Sequence, residues 1–255
     1  MRIWPVLTAL LFSPLAQSAN NWENPAFVEQ AFVQVALRNE YSAGSKPLVK
    51  WNKPVKVWIE HKVSDSDLHE ALALAQLNHL AAMTGHTVTR VAKREEANLI
   101  WVFTQQSDWK NDVRREMGAA AAKHIYGAVC LGNYRISNST HEIVSASVVI
   151  PVDQARSHGK LLACVVEEVT QVMGLPNDSE KAYPSIFNDK TPDDLLSPLD
   201  VILLKLLYEP ELKTGMSEQQ VRPIVKTILK RYKKDGVLAQ AVRMSHSSEL
   251  YDWMP

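Results

Sequence analysis

Hydrophobic residues recur three and four positions apart in six segments of the chain, the spacing of helices that bury one face. Local signals support several of these segments: Pro25 occupies a first helical position, Gly85 ends a helix, and Ser197 begins another. Ser217 and Gln220 have the spacing of a capping box. The predicted helices are 24–41, 64–85, 107–123, 161–173, 197–212 and 217–234.

Five shorter segments are rich in β-branched and apolar residues and predict strands. The predicted strands are 54–61, 86–91, 97–103, 127–136 and 142–152. Segment 97–103 is apolar enough to lie at the centre of a sheet, and the last two segments predict an antiparallel pair. Strands and helices mixed in this order favour one α/β (α+β) domain with a short mixed sheet and helical extensions at both ends.

The division of the chain follows from these patterns. Residues 1–19 have the charged start, short apolar stretch and small residues of a secretory signal peptide. We expect an N-terminal helical segment at 20–50, the main domain at 51–232 and a C-terminal tail at 233–255, where the pattern is too weak to predict an element. The apolar stretch is too short for a permanent anchor, so we expect a periplasmic or secreted protein without a membrane span.

Segment 161–173 is apolar almost all round, which is typical of a buried helix. Its polar residues share one face, because positions three and four apart lie on the same side of a helix. This polar stripe consists of Cys164, Glu167, Glu168 and Gln171. Carboxylates in a buried helix are costly unless they are paired, hydrogen-bonded or bound to metal. The polar stripe is therefore the candidate functional site.

Composition narrows the classes of partner and the redox environment. The formal net charge is zero, so nucleic acid is not an expected partner. The two cysteines, Cys130 and Cys164, either form one disulfide or remain buried free thiols. We favour the disulfide, because both cysteines are predicted to lie near the polar stripe.

The polar stripe also resembles a peptidase signature. Metzincin peptidases carry H-E-x-x-H-x-x-G-x-x-H on a helix and the turn after it. The segment 183–187 is similar to their Met-turn, with Ile186 and Phe187 at its end, and 196–212 is similar to their final helix. All three histidine positions are changed, whereas the second-place glutamate and the glycine remain. The corresponding residues are Glu167, Glu168, Gln171, Gly174 and Asn177, followed by Asp178.

A closer resemblance is to a bacterial secreted family known as domain of unknown function 2927. It is carried by 164–178, 184–189 and 207–216, and it extends from about residue 50 to about residue 230. The two resemblances together imply a metzincin-like core with an active-site-type helix. They transfer no established activity.

The changed residues alter the expected metal chemistry. Glu167 remains a metal-ligand type, whereas the Gln171 amide is a poor substitute for imidazole on zinc. Asn177 or Asp178 would add oxygen, and an all-oxygen set suits calcium, magnesium or manganese better than zinc. We therefore expect no zinc and no other cofactor, with a harder cation left open. The isolated histidines have no partner at four-residue spacing; those considered as additional ligands are His124, His141 and His158.

Three hypotheses account for the polar stripe. In the first it is a structural network, in which adjacent buried carboxyls have raised pKa values and one holds a proton. In the second, Glu168 is the general base of a hydrolase with an unusual metal. In the third, Glu167 and Glu168 catalyse without metal, but neighbours on a helix diverge by about 100°. Cys164 is not favoured as a nucleophile, because His158 lies on another helix face.

Our leading functional expectation is a cell-envelope protein that keeps a peptidase-like groove and binds an extended peptide or an envelope protein there. Such a protein either binds there without cleaving or cleaves with a metal set other than three histidines and zinc. The rival hypothesis is a structural or assembly partner. A groove binder should have a cleft beside the strand of Cys130, whereas an assembly partner should expose an apolar patch elsewhere.

Overall fold

The structure, a computed structural model, describes residues 21–38, 44–123 and 125–253. The predicted signal peptide, 1–19, lies outside these ranges. The described chain is an α+β fold built on one five-stranded mixed sheet. The strands are β1 (Val55–His61), β2 (Val88–Arg90), β3 (Leu99–Thr104), β4 (Leu131–Ile136) and β5 (Ile143–Pro151). The helices are α1 (Pro25–Leu37), α2 (Ser66–Thr84), α3 (Gln106–Met117), α4 (Val152–Ser157), α5 (Leu161–Gln171), α6 (Pro198–Tyr208), α7 (Glu218–Lys234) and α8 (Ala241–Ser245).

The strand order is β2-β1-β3-β5-β4. Four strands are parallel, and β4 runs antiparallel to β5 at one edge. The predictions that 97–103 is central and that 127–136 pairs antiparallel with 142–152 are confirmed. The edge position of β4 is what matters for the site, because its outer side has no neighbouring strand in the described chain.

Both faces of the sheet are covered. Ile59, Trp101 and Val148 lie in register on one face and belong to the larger core, which α2 and α5 complete. On the opposite face, Val102 and Val149 pack with α3 in a smaller core. Because side chains alternate between faces along a strand, the central strands need apolar residues at nearly every position. This explains why segment 97–103 is continuously apolar.

The terminal helices share the larger core. Helix α1 packs on α6 and α7, and α8 packs on α6. The predicted cap at Ser197 is confirmed, since its hydroxyl accepts from the backbone N–H of Asp200 at 3.2 Å. The 3₁₀ turn Glu249–Trp253 and α8 lie in the segment for which the sequence predicts no element. No helix of the described ranges is both long and apolar enough to cross a membrane.

Candidate functional site

The polar stripe of α5 forms the floor of a cavity of about 800 Å³. Residues 126–133, which lead into and include the first half of β4, form one wall. The loop from 185 to 194 forms the opposite wall. Seven of the nine predicted site residues line the cavity together: Cys130, Cys164, Glu167, Glu168, Gln171, Asp178 and Ile186.

A disulfide joins the wall to the floor. Cys130, immediately before β4, is bonded to Cys164 on α5, and their Cα atoms are 5.9 Å apart. The predicted pairing is therefore confirmed. The bond fastens the edge strand to the helix at the end of the cavity where α5 begins.

Gly132 makes the second attachment between β4 and α5. Its backbone N–H donates a hydrogen bond to the Glu168 carboxyl group. A Cβ atom at this position would lie 2.9 Å from Glu168 Oε2 and 3.0 Å from the Glu168 carbonyl oxygen. Only a residue without a side chain allows the strand to approach so closely. Glu168 is consequently 8% exposed and held in place by the strand.

Glu167 belongs to a chain of polar side chains along the floor. Gln171 Nε2 donates to Glu167 Oε1 at 3.4 Å and to Asp178 Oδ1 at 3.1 Å. Since one amide donates to both carboxyl groups, Gln171 bridges the helix and the turn that follows it. These two contacts support the hypothesis that the polar stripe is a hydrogen-bonded network.

Both glutamates have raised pKa values. Burial, followed by the charges of Glu168, Asp178 and Asp189, raises the pKa of Glu167 to about 9. Burial also raises the pKa of Glu168 to about 8, although the hydrogen bond from Gly132 lowers it in part. The two groups titrate together, so at neutral pH the pair retains protons. The direction of both pKa shifts is the one expected for adjacent buried carboxyls.

The opposite wall is anchored on Asp200, at the start of α6. Ser185 Oγ donates to Asp200 Oδ1 at 2.5 Å, and the backbone N–H of Ile186 donates to Oδ2 at 3.1 Å. The backbone N–H of Ser197 donates to the same Oδ2 at 2.7 Å. Of the two Met-turn-like residues, Ile186 lines the cavity and Phe187 is fully buried in the core.

Asn177 is directed away from the cavity. Its Nδ2 donates to the carbonyl oxygen of Gln34 in α1 at 2.9 Å and to that of Asp178 at 3.0 Å. The structure thus separates Asn177 from Glu167 and Gln171, which precede it in the aligned signature. The side chain ties the turn after α5 to the N-terminal helix.

The arrangement does not fit a three-ligand zinc site. Nowhere in the described ranges do three or more histidine, cysteine, aspartate or glutamate residues converge in a metal-holding group. His158 is exposed at the end of α4 and does not line the cavity. His141 lies beside Gly215, and His124 lies outside the described residues.

Two features of the site are not predicted by the patterns in the sequence. The first is the contact of Gly132 with Glu168, whose signal is an isolated glycine within a predicted strand. The second is the acidic content of the 185–194 loop, where Asp189, Asp193 and Asp194 line the cavity. Their signal is the cluster of polar and proline residues at 188–194, which by itself predicts a loop.

The family resemblance expected from about residue 50 to about residue 230 extends further towards the N-terminus, to residue 25. The sequence model of a family described as "Protein of unknown function (DUF2927)" matches residues 25–227, which include α1 and every residue that lines the cavity. No curated protein matches the chain. Because the match covers well over half of the sequence, the chain belongs to the DUF2927 family.

Proposed function

We propose that the chain is a cell-envelope protein that binds an extended peptide segment of another protein in the cavity between β4 and the 185–194 loop. The observation that carries this proposal is the position of the cavity beside an edge strand. An edge strand presents backbone donors and acceptors along one side, and extended peptides bind proteins by adding to such an edge.

The proposal includes a metzincin-like scaffold, on which the helix of the peptidase signature has become a binding surface. Several observations support it: the retained glutamate at Glu168, the turn at Gly174 and the cavity above α5. Gly174 has a φ of +118°, and a Cβ atom there would lie 2.5 Å from the Val49 carbonyl oxygen. Close packing therefore requires glycine at the sharp turn that follows α5.

The envelope location rests on the disulfide. Cys130 and Cys164 are bonded, and disulfides persist in oxidising compartments such as the periplasm and the extracellular space. The signal peptide predicted at 1–19 is consistent with export to such a compartment.

A direct binding measurement tests the proposal. A fluorescein-labelled pool of random decapeptides should show raised anisotropy with the purified protein. Ala163→Trp places a large ring in the cavity from α5 and should abolish the signal. Gln219→Trp, at an exposed position of α7, is the matched control and should bind as the unmodified protein does. Binding that survives Ala163→Trp would place the peptide elsewhere and overturn the proposal.

Hydrolysis is a second candidate, and one observation favours it. The pKa of Glu168, raised to about 8, lies near neutral pH, where a general base works best. Cleavage of a fluorescent casein by the purified protein, abolished by Glu168→Gln with the fold intact, would support catalysis. Peptide binding without cleavage, retained in Glu168→Gln, would support the binding function alone.

The assembly hypothesis predicts a different outcome. Large exposed apolar residues occur at Ile136, Val144 and Tyr183, outside the cavity. If these residues mediate assembly, sedimentation should show a concentration-dependent oligomer that persists in Ala163→Trp, and the decapeptide pool should not bind.

A further inference from the structure

The cavity has a strong excess of acidic groups. Among the described residues that line it, six carry carboxyl groups and one carries a cation. The cation is Lys160, whose Nζ lies 3.3 Å from Asp194 Oδ1, so it is already paired. The carboxyl groups come from both the floor and the opposite wall and belong to Glu167, Glu168, Asp178, Asp189, Asp193 and Asp194.

These groups face each other across the cavity. Glu167 interacts electrostatically with Glu168 on its own helix, with Asp178 in the following turn and with Asp189 in the opposite wall. Lys160 opposes them in part. From the β4 side, the facing group is the N–H of Gly132, which is engaged by Glu168. Among the described residues that line the cavity, no buried positive group therefore balances Glu167.

An exposed aromatic ring lies where residues 126–133 line the cavity. Tyr126 is 80% exposed, although large rings are normally at least partly covered. An aromatic face attracts cations, and Lys110 Nζ already lies over this ring at 6.0 Å from its centre. The ring and the carboxyl groups thus both favour a positively charged ligand.

We propose that the peptide recognised by this cavity carries a lysine or arginine side chain, whose cationic end enters between Glu167 and the aspartates of the opposite wall. This inference rests on the proposed peptide-binding function and names its ligand class. Entry of the cation is coupled to ionisation of one carboxyl group of the Glu167–Glu168 pair, which releases its proton to solvent.

The coupling follows from the electrostatics of the empty and occupied cavity. Without a nearby cation, burial and the neighbouring carboxyl groups keep the pair protonated at neutral pH. A cation within about 4–6 Å favours the charged form of a carboxyl group and lowers its pKa. Occupation therefore converts a neutral carboxyl into a carboxylate, and binding should strengthen as the pH rises from 6.5 to 8.

Calorimetry with three matched peptides tests the inference. The probes are alanine-based nonapeptides with lysine, glutamine or glutamate at the centre. We expect the lysine peptide to bind about tenfold more tightly than the glutamine peptide, a difference of about 1.4 kcal/mol. Titrations at pH 7 in phosphate and in Tris, which differ in ionisation enthalpy, should report release of about one proton per lysine peptide.

Glu167→Gln provides the matched variant. The amide has the shape of the protonated acid, so the fold should be retained, and circular dichroism can verify this. The variant should lose proton release and most of the preference for lysine. Glu211→Gln removes an exposed carboxyl group that does not line the cavity and should change neither.

The outcomes separate this inference from the proposed function. If the lysine and glutamine peptides bind equally and Ala163→Trp abolishes both, the groove binds peptides and the cationic preference is wrong. If the lysine preference persists unchanged in Glu167→Gln, general surface attraction explains it and the inference is again overturned. If neither these peptides nor the random decapeptides bind, both proposals fall.

Discussion

Gly132 donates its backbone N–H to the carboxyl group of Glu168, four residues along α5 from the cysteine that is bonded to Cys130. Two residues of a strand advance about 6.6 Å, and four residues of a helix advance about 6.0 Å. The disulfide and the hydrogen bond therefore form two matched links, and β4 and α5 run side by side in the same direction. Together these links hold one wall of the cavity against its floor.

Because β4 and α5 approach closely at Gly132, adding one methyl group at this position should lower the stability of the fold. In Gly132→Ala the Cβ atom would meet both Glu168 Oε2 and its carbonyl oxygen, so the strand and helix must separate. We expect a loss of about 1–3 kcal/mol in the free energy of unfolding, measured by urea denaturation. Asn133→Ala, at the next and exposed position, is the control and should change stability by less than about 0.5 kcal/mol. Equal stability of both variants would mean that the contact is not restrictive.

The disulfide should contribute strongly to stability. Cys130 and Cys164 are 34 positions apart, and closing a loop of this length restricts the unfolded chain by about 3–4 kcal/mol in the entropic account. The free energy of unfolding of the double variant Cys130→Ala, Cys164→Ala should therefore be lower by a large part of that amount. Thermal unfolding of the oxidised and reduced protein gives an independent value. Intact mass analysis should find the two cysteines bonded, and a majority of free thiols in exported protein would contradict the assignment.

The raised pKa values of the two glutamates predict how stability depends on pH. Glu167 ionises near pH 9 in the folded state and near 4.5 when unfolded, so between these values the folded state binds more protons. Stability should therefore fall as the pH rises through this range. Burial lowers the pKa of His69 to about 4, which has the opposite effect below pH 6.5. Burial also lowers the pKa of Lys50 to about 8, which opposes the fall at higher pH.

The informative range is consequently pH 6.5 to 8. Over it we expect the free energy of unfolding to fall by about 2–4 kcal/mol, since each proton difference changes it by about 1.4 kcal/mol per pH unit and the pair accounts for one to two protons. Glu167→Gln and Glu168→Gln should each reduce this slope. Glu211→Gln serves as the control. A slope unchanged in both site variants would show that the pair is not protonated at neutral pH.

The sequence predicts the fold well where one interaction dominates. The continuous apolar run around Trp101 predicts a central strand, because both faces of a central strand must be covered. The cap at Ser197 is equally local, since its hydroxyl bonds a residue three positions along. Helix α8 is missed, because its small buried face, with Ala241 and Ser245, depends on packing against α6 and other distant elements.

The site is predictable only in part, for a similar reason. The spacing of Glu167, Glu168 and Gln171 on one helix places them together without knowledge of the fold. Asn177 occupies a position where the aligned signature has a ligand, but the carbonyl of Gln34 in α1, 143 residues earlier, takes its side chain. That contact and the approach of Gly132 depend on long-range packing, which spacing along the chain does not reveal.

The donor atoms at the site predict the metal content of the purified protein. Zinc is held by strongly donating, deprotonated ligands, and the aligned positions supply the Glu167 carboxyl, the Gln171 amide and no imidazole. Asn177 donates its Nδ2 to Gln34 and does not line the cavity, and the pKa of Glu167 keeps that carboxyl protonated at neutral pH. We therefore expect purified protein to retain no stoichiometric zinc after dialysis, as measured by elemental analysis.

A harder cation is a separate question, and a second measurement addresses it. Calcium, magnesium or manganese would have to displace the proton of Glu167, so any binding should release protons and weaken sharply below pH 7. Thermal unfolding with each cation at millimolar concentration should show no shift if the cavity takes only organic cations. Near-stoichiometric zinc that disappears in Glu167→Gln, or a metal-dependent shift confined to the unmodified protein, would instead make the polar stripe a metal centre and favour the hydrolase with Glu168 as its base.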